Sequence, residues 1–196
     1  MNPSCKRMMY LHGFRSSPRS FKAERLARAM SAAGRAESFV CPQLPASPAQ
    51  AMRLVLEDLT PGPGDVVIGS SLGGYYARYV AEHCGARTVL LNPAVAPARS
   101  LASHLEARTM FHSDEPFEFH RHYLAELERF AVPAITHPER CLLIAATGDE
   151  VLDWREMVAA WQGAKMVVIA GSDHGLSDFD SHLWRVLDFA GLTPPP

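Results

Sequence analysis

The chain has no long hydrophobic run, no strong charge of one sign and no paired cysteines, and each absence removes a class of protein. Nowhere in the 196 residues do apolar side chains approach the run of about 18 needed to span a bilayer. The start from Met1 to Arg7 is not followed by the apolar stretch of a secretory signal, so a cytoplasmic protein is expected. A formal net charge of −2 leaves no electrostatic footprint for nucleic acid or an anionic membrane, so the expected partner is a small molecule. The four cysteines, Cys5, Cys41, Cys84 and Cys141, form no C-x-x-C pair and are expected as free thiols packed like small hydrophobes. His112, Asp114, His120 and His122 are metal-ligand residue types, but no H-E-x-x-H or comparable compact motif holds them together. Neither a metal nor a cofactor is expected, and the sequence leaves the oligomeric state open.

What is present is a chain with 47% hydrophobic residues, enough to bury a core as a single domain over 1–196. Short apolar runs alternate with segments of helical period, the pattern of βαβ units and a mainly parallel sheet. The predicted strands are Arg7–Leu11, Glu37–Cys41, Asp65–Gly69, Arg87–Leu91, Cys141–Ala146 and Lys165–Ile169. One helix is expected to bury Leu26, Ala29, Met30 and Ala33, a second Met52, Val55, Leu56 and Leu59. A third begins after Ser71 and carries Tyr75, Tyr76, Tyr79 and Val80; a last one carries Phe179, Leu183, Val186, Leu187 and Ala190. The prolines of 193–196 cannot continue it, and this tail is expected to fray. From about Ala94 to Pro138 the alternation breaks around an expected helix near Phe119–Phe130. This reads as a small helical cap insertion above the carboxyl ends of the strands, either a lid or pocket wall, or a surface excursion that touches no substrate.

Chemistry enters at Gly69-Ser70-Ser71-Leu72-Gly73, a G-x-S-x-G directly after the apolar run Val66-Val67-Ile68. A serine on a sharp strand-to-helix turn needs glycine two positions to either side, where a side chain would strike neighbouring backbone. The pentapeptide alone arises by chance in roughly one chain in twenty of this length, so its context decides. Serine is a weak nucleophile until a base takes its proton. Asp149 follows the fifth predicted strand and His174 the sixth, at the head of the last helix, which gives the order Ser71, Asp149, His174. Asp153 is the main rival for the acid, with Glu150 beside it. An oxyanion would be met by the backbone N–H of Leu72 and of Phe14, the latter in the His12-Gly13-Phe14 loop after the first strand. His12 either organises that loop or contacts substrate. Arg15 is the other candidate substrate contact, and Arg15, Arg19 and Lys22 either receive a carboxylate or phosphate or are solvated charges.

These blocks resemble the small YqiA/YcfP-like esterases of the α/β-hydrolase superfamily. The resemblance is carried by Tyr10-Leu11-His12-Gly13-Phe14 with Ser16-Ser17-Pro18, Pro42-Gln43-Leu44-Pro45, Ile68 to Ala77, Leu91-Asn92-Pro93-Ala94-Val95, Thr147-Gly148-Asp149-Glu150 and Asp173-His174-Gly175. It implies an α/β-hydrolase fold of about six mainly parallel strands with helices on both faces. It further implies Ser71, Asp149 and His174 as a triad and activity on short acyl esters, with acyl-CoA thioesters as the alternative. A hydrolase-fold binding protein without catalysis is the reading from another class. The resemblance fades over Ala94–Pro138, so substrate choice does not carry over.

Overall fold

The computed structural model describes residues 2–105, 109–111 and 116–192. Six strands form one sheet: β1 (Met8–Leu11), β2 (Phe39–Val40), β3 (Val66–Ser70), β4 (Arg87–Leu91), β5 (Cys141–Ala146) and β6 (Lys165–Ile169). All are parallel, in the order β2-β1-β3-β4-β5-β6. Side chains alternate between the faces of the sheet, so Met8 and Tyr10 enter one core while Met9 and Leu11 enter the other. Burial on both faces explains why the inner strands β1, β3, β4 and β5 read as nearly continuous apolar runs.

Helices cover both faces. The first core receives Leu26 and Met30 of α1 (Phe21–Ala32) and Val186 and Phe189 of α7 (Leu183–Phe189). On the other face lie α2 (Pro48–Arg53), α3 (Leu72–Cys84) and, after a short α4 (Pro97–Leu101), α5 (His122–Glu128) and α6 (Trp154–Ala160). The insertion is docked on this second face. Leu127 is fully buried there, Tyr75 Oη donates to its carbonyl at 2.6 Å, and Glu126 accepts from Ser47 Oγ and Ala49 N at the start of α2. A carboxylate at that helix start is favoured by the unpaired amides it meets.

Several expected boundaries move. β2 is only two residues, because Ala36–Ser38 form a 3-10 turn. After Arg53 the second helix widens into a π-turn over Leu54–Asp58, closed by Leu59 N donating to Leu54 O. Ala33 lies past the end of α1 and is exposed; Ala23 takes its place in the buried stripe. The last helix breaks in two, a 3-10 turn at Phe179–Ser181 before α7, so His174 lies in a loop well ahead of it. All four cysteines are free, and burial pushes the Cys41 and Cys141 thiols up to about 12, away from the reactive thiolate. No helix among the described residues is long and apolar enough to cross a membrane. The predicted tail at 193–196 lies outside the described residues.

The chain leaves β1 for β2 and returns to β3, so the strand order reverses between β1 and β3. In open α/β sheets the carboxyl ends beside such a reversal form the ligand crevice. Two glycines let the backbone close there: a Cβ on Gly69 would lie 2.1 Å from Gly73 O, and one on Gly73 only 1.9 Å from Leu11 O. Both obstacles are backbone and cannot rotate away. Gly73→Ala should therefore lower unfolding stability by about 3 kcal/mol or more, read as a fall in the urea midpoint at constant slope.

Candidate active site

Ser71 sits between β3 and α3 with φ 54° and ψ −121°, a conformation that L residues rarely adopt. Such strain costs on the order of 1–3 kcal/mol and persists only where the surroundings impose it. Here they do. Ser71 N donates to Leu91 O at 3.1 Å, and Ser71 O accepts from Gly74 N at 2.9 Å and Ala94 N at 3.0 Å. The turn lifts the hydroxyl off the sheet toward the loops that follow β5 and β6.

Those loops complete a hydrogen-bonded chain. Ser71 Oγ lies 3.0 Å from His174 Nε2, and His174 Nδ1 lies 2.8 Å from Asp149 Oδ2. A carboxylate only accepts, so Nδ1 carries the proton and Nε2 presents its lone pair to the serine hydroxyl. The Asp149 side chain is 0% exposed and that of His174 20%. Asp149 is not left bare by its burial, because Oδ1 accepts from Val151 N at 2.9 Å and Leu152 N at 2.8 Å. Its rivals are engaged elsewhere. Asp153 caps α6 through Arg155 N, and Glu150 accepts from the backbone N–H of His174.

The His12-Gly13-Phe14 loop presses against Ser71, with a Cβ on Gly13 falling 3.3 Å from Ser71 Cβ. Phe14 and Leu72 line one cavity with Ser71 and His174, of about 400 Å³ and with mainly apolar walls. The exposed side chains of Phe21, Phe111 and Val151 form part of its lining. Pro97, Leu101 and Phe111 bring the insertion into the wall, and Phe117 and Phe119 each meet the Phe14 ring edge-on at 5.1 Å.

The two candidate substrate contacts lie outside the lining of this cavity. His12 is buried and turned away from this cavity: Leu44 N donates to its Nε2 at 3.0 Å, which leaves Nδ1–H to donate to Gly13 O at 3.0 Å. Burial lowers its pKa and keeps it neutral, suited to tying the loop to Pro42–Pro45. Arg15 is drawn to the insertion instead, donating to Thr109 O and lying 4.3 Å over the Phe111 ring. Of the metal-ligand residue types in the insertion, His112 and Asp114 lie outside the described residues, while His120 and His122 stack on one another.

Asn92 gave no chemical signal in the sequence, yet it anchors the histidine loop. Fully buried after β4 with φ 42°, it donates from Nδ2 to the carbonyls of Asp173 and His174 and accepts from Ala146 N at 2.8 Å. A single amide thus joins the ends of β4 and β5 to the loop that carries His174. Only its place in Asn92-Pro93 directly after a strand hinted at a special turn. Asn92→Ala should cost about 2–4 kcal/mol, from a stranded buried Ala146 N–H and a positive φ without an amide side chain. Urea unfolding checks the stability.

Lys22 also lines the cavity, and its Nζ donates to Gly175 O, directly after His174. Burial lowers its pKa to about 8, against the pull of Asp173 and Asp149. Between that value and the unfolded lysine range near 10.4 the unfolded chain binds the extra proton, so this group makes stability rise with pH. The rise in urea midpoint from pH 7.5 to 9.5, values chosen to bracket about 8, should be larger in wild type than in Lys22→Met.

A parallel sheet reversing between β1 and β3, with a strained serine turn after β3, defines the α/β-hydrolase fold. Solved structures agree: a protein from Agrobacterium vitis S4 superposes with a TM-score of 0.72 at 16% identity, over 96% of this chain and 91% of that one. Est1E of Butyrivibrio proteoclasticus, solved with ferulic acid bound, gives 0.68 at 14% identity over 97% and 89%. Residues 7–191 match the Uncharacterised protein family UPF0227, and the chain belongs to that family. A UPF0227 protein of Vibrio vulnificus is 25% identical over 128 residues, an alignment spanning 65% of either chain.

Proposed function

We propose that the protein is a serine hydrolase of carboxylic esters with short acyl groups. The observation that carries this reading is the unbroken chain from Ser71 Oγ through His174 to buried Asp149, opening onto a mainly apolar cavity. In the proposed mechanism His174 Nε2 takes the Ser71 proton as Oγ attacks the ester carbonyl. Asp149 holds the imidazole in the tautomer that can accept and stabilises the imidazolium that forms. The negative oxygen of the tetrahedral intermediate is met by the amides of Leu72, at the N-terminus of α3, and Phe14. His174 then protonates the leaving alcohol, and water, activated by the same nitrogen, releases the acid from Ser71.

The similarity to solved hydrolases supports the fold on which this chemistry runs, and the apolar walls suit an uncharged acyl chain. Thioesters differ only in the leaving group, so acyl-CoA is the natural comparison substrate in the same assay.

Wild type should label with a fluorophosphonate probe and hydrolyse p-nitrophenyl butyrate, while Ser71→Ala should do neither. Equal labelling of the two would remove Ser71 as the nucleophile. Asp149→Asn should lower kcat by about 10⁴-fold through the wrong imidazole tautomer. Asp153→Asn, which alters a helix cap and an exposed ion pair with Arg155, should retain turnover; loss in Asp153→Asn alone would reverse the assignment of the acid.

A further inference from the structure

Among the described residues lining the catalytic cavity, Lys22 is the one lysine or arginine. An ammonium carries three donors, and Gly175 O takes one. No carboxylate of the described residues forms an ion pair with it. The two acids that act on it do so at a distance: Asp149 is bonded to Val151 N, Leu152 N and His174, and Asp173 accepts from Ser177 N through Oδ1. Two donors and a formal charge are left in a wall that is otherwise mainly apolar.

The same wall contains the start of a helix. Ser20, Phe21 and Lys22, the N-cap and first residues of the 12-residue α1, all line the cavity. The first backbone bond of α1 runs from Glu24 N to Ser20 O at 3.0 Å, so the amides of Phe21, Lys22 and Ala23 precede any intrahelical acceptor. The positive end of a helix dipole and a lysine ammonium thus coincide. Their location sets which part of a substrate they meet. Gly175 directly follows His174, so the ammonium is tethered to the loop whose imidazole, in the mechanism above, returns a proton to the leaving oxygen.

We infer that Lys22 and the first turn of α1 form a subsite for a carboxylate or phosphate carried on the leaving alcohol of the substrate. The inference rests on the hydrolase reading above and deepens it to a substrate class: an uncharged acyl group joined to a short anionic alcohol. The anion takes no part in bond making. It is held by the Lys22 ammonium, which fixes the leaving oxygen near His174 Nε2.

The test uses matched esters. Para-butyryloxybenzoate is compared with its methyl ester, and butyryloxyethyl phosphate with its dimethyl phosphate triester, each as a ratio of kcat/KM values. Wild type should favour the anion in at least one pair by about tenfold or more, as a charge-assisted contact provides. The pair that responds tells carboxylate from phosphate. Lys22→Met should bring that ratio to about one and Lys22→Arg should keep most of it, whatever the absolute rates, since both esters meet the same folded enzyme. In wild type the ratio should also decline as pH rises through about 8, where Lys22 loses its proton. A wild-type ratio of one, or an equal fall on both esters in Lys22→Met, would overturn the subsite and leave Lys22 as a support for the Gly175 loop. Failure to hydrolyse p-nitrophenyl butyrate as well would instead sink the hydrolase reading itself.

Discussion

The close approach of backbone to backbone around Ser71 is the constraint on which the rest of the site depends. Gly69 faces the carbonyl of Gly73, and Gly73 faces that of Leu11, at separations that leave no room for a Cβ. This contact packs the end of β1 against the start of α3 and imposes on Ser71 a backbone it would not choose. Strain at Ser71 is offset by the surrounding hydrogen bonds and by the fully buried strands β1, β3 and β5.

From that contact the other parts follow in order. The loop after β1 lies close against the serine, where Gly13 presents no side chain, and it brings Phe14 to the cavity. His12, at the same loop, turns inward and ties it to Leu44. On the far side the loops after β5 and β6 must arrive within hydrogen-bond reach of Ser71, and Asn92 sets that distance by joining β4, β5 and the His174 loop. Buried, fully bonded amides of this kind specify a single arrangement, because a partner left without its bond has no water to turn to. The insertion adds aromatic side chains, Phe117 and Phe119, packed edge-on against Phe14.

The six strands were legible because each is a short apolar run bounded by turn residues, and for β1, β3, β4 and β5 burial on both faces makes such runs conspicuous. Boundaries were less so: the π-turn at Leu54–Asp58 and the break before α7 keep hydrophobic spacing close to helical and leave no mark in the pattern. Ser71, Asp149 and His174 stood out through glycines and position after strands. Asn92 did not, because its role depends on carbonyls 81 and 82 residues away. For His12, which organises its loop, and for Arg15, the sequence left the direction of the side chain open for a related reason. Chain position put them in the right loop but could not say which way each side chain turned.

By itself, then, the sequence determined the layered parallel sheet, the serine turn and the order of the residues that could act with it, since these follow from local sterics and hydrophobic period. Only the tertiary structure decided which carboxylate meets the histidine, what anchors the histidine loop and which cation faces the cavity. Asp149 and Asp153 are near neighbours of the same residue type, and nothing local separates them. They part because one points to His174 and the other folds back on Arg155 N, a choice made by the packing of β5, β6 and α6.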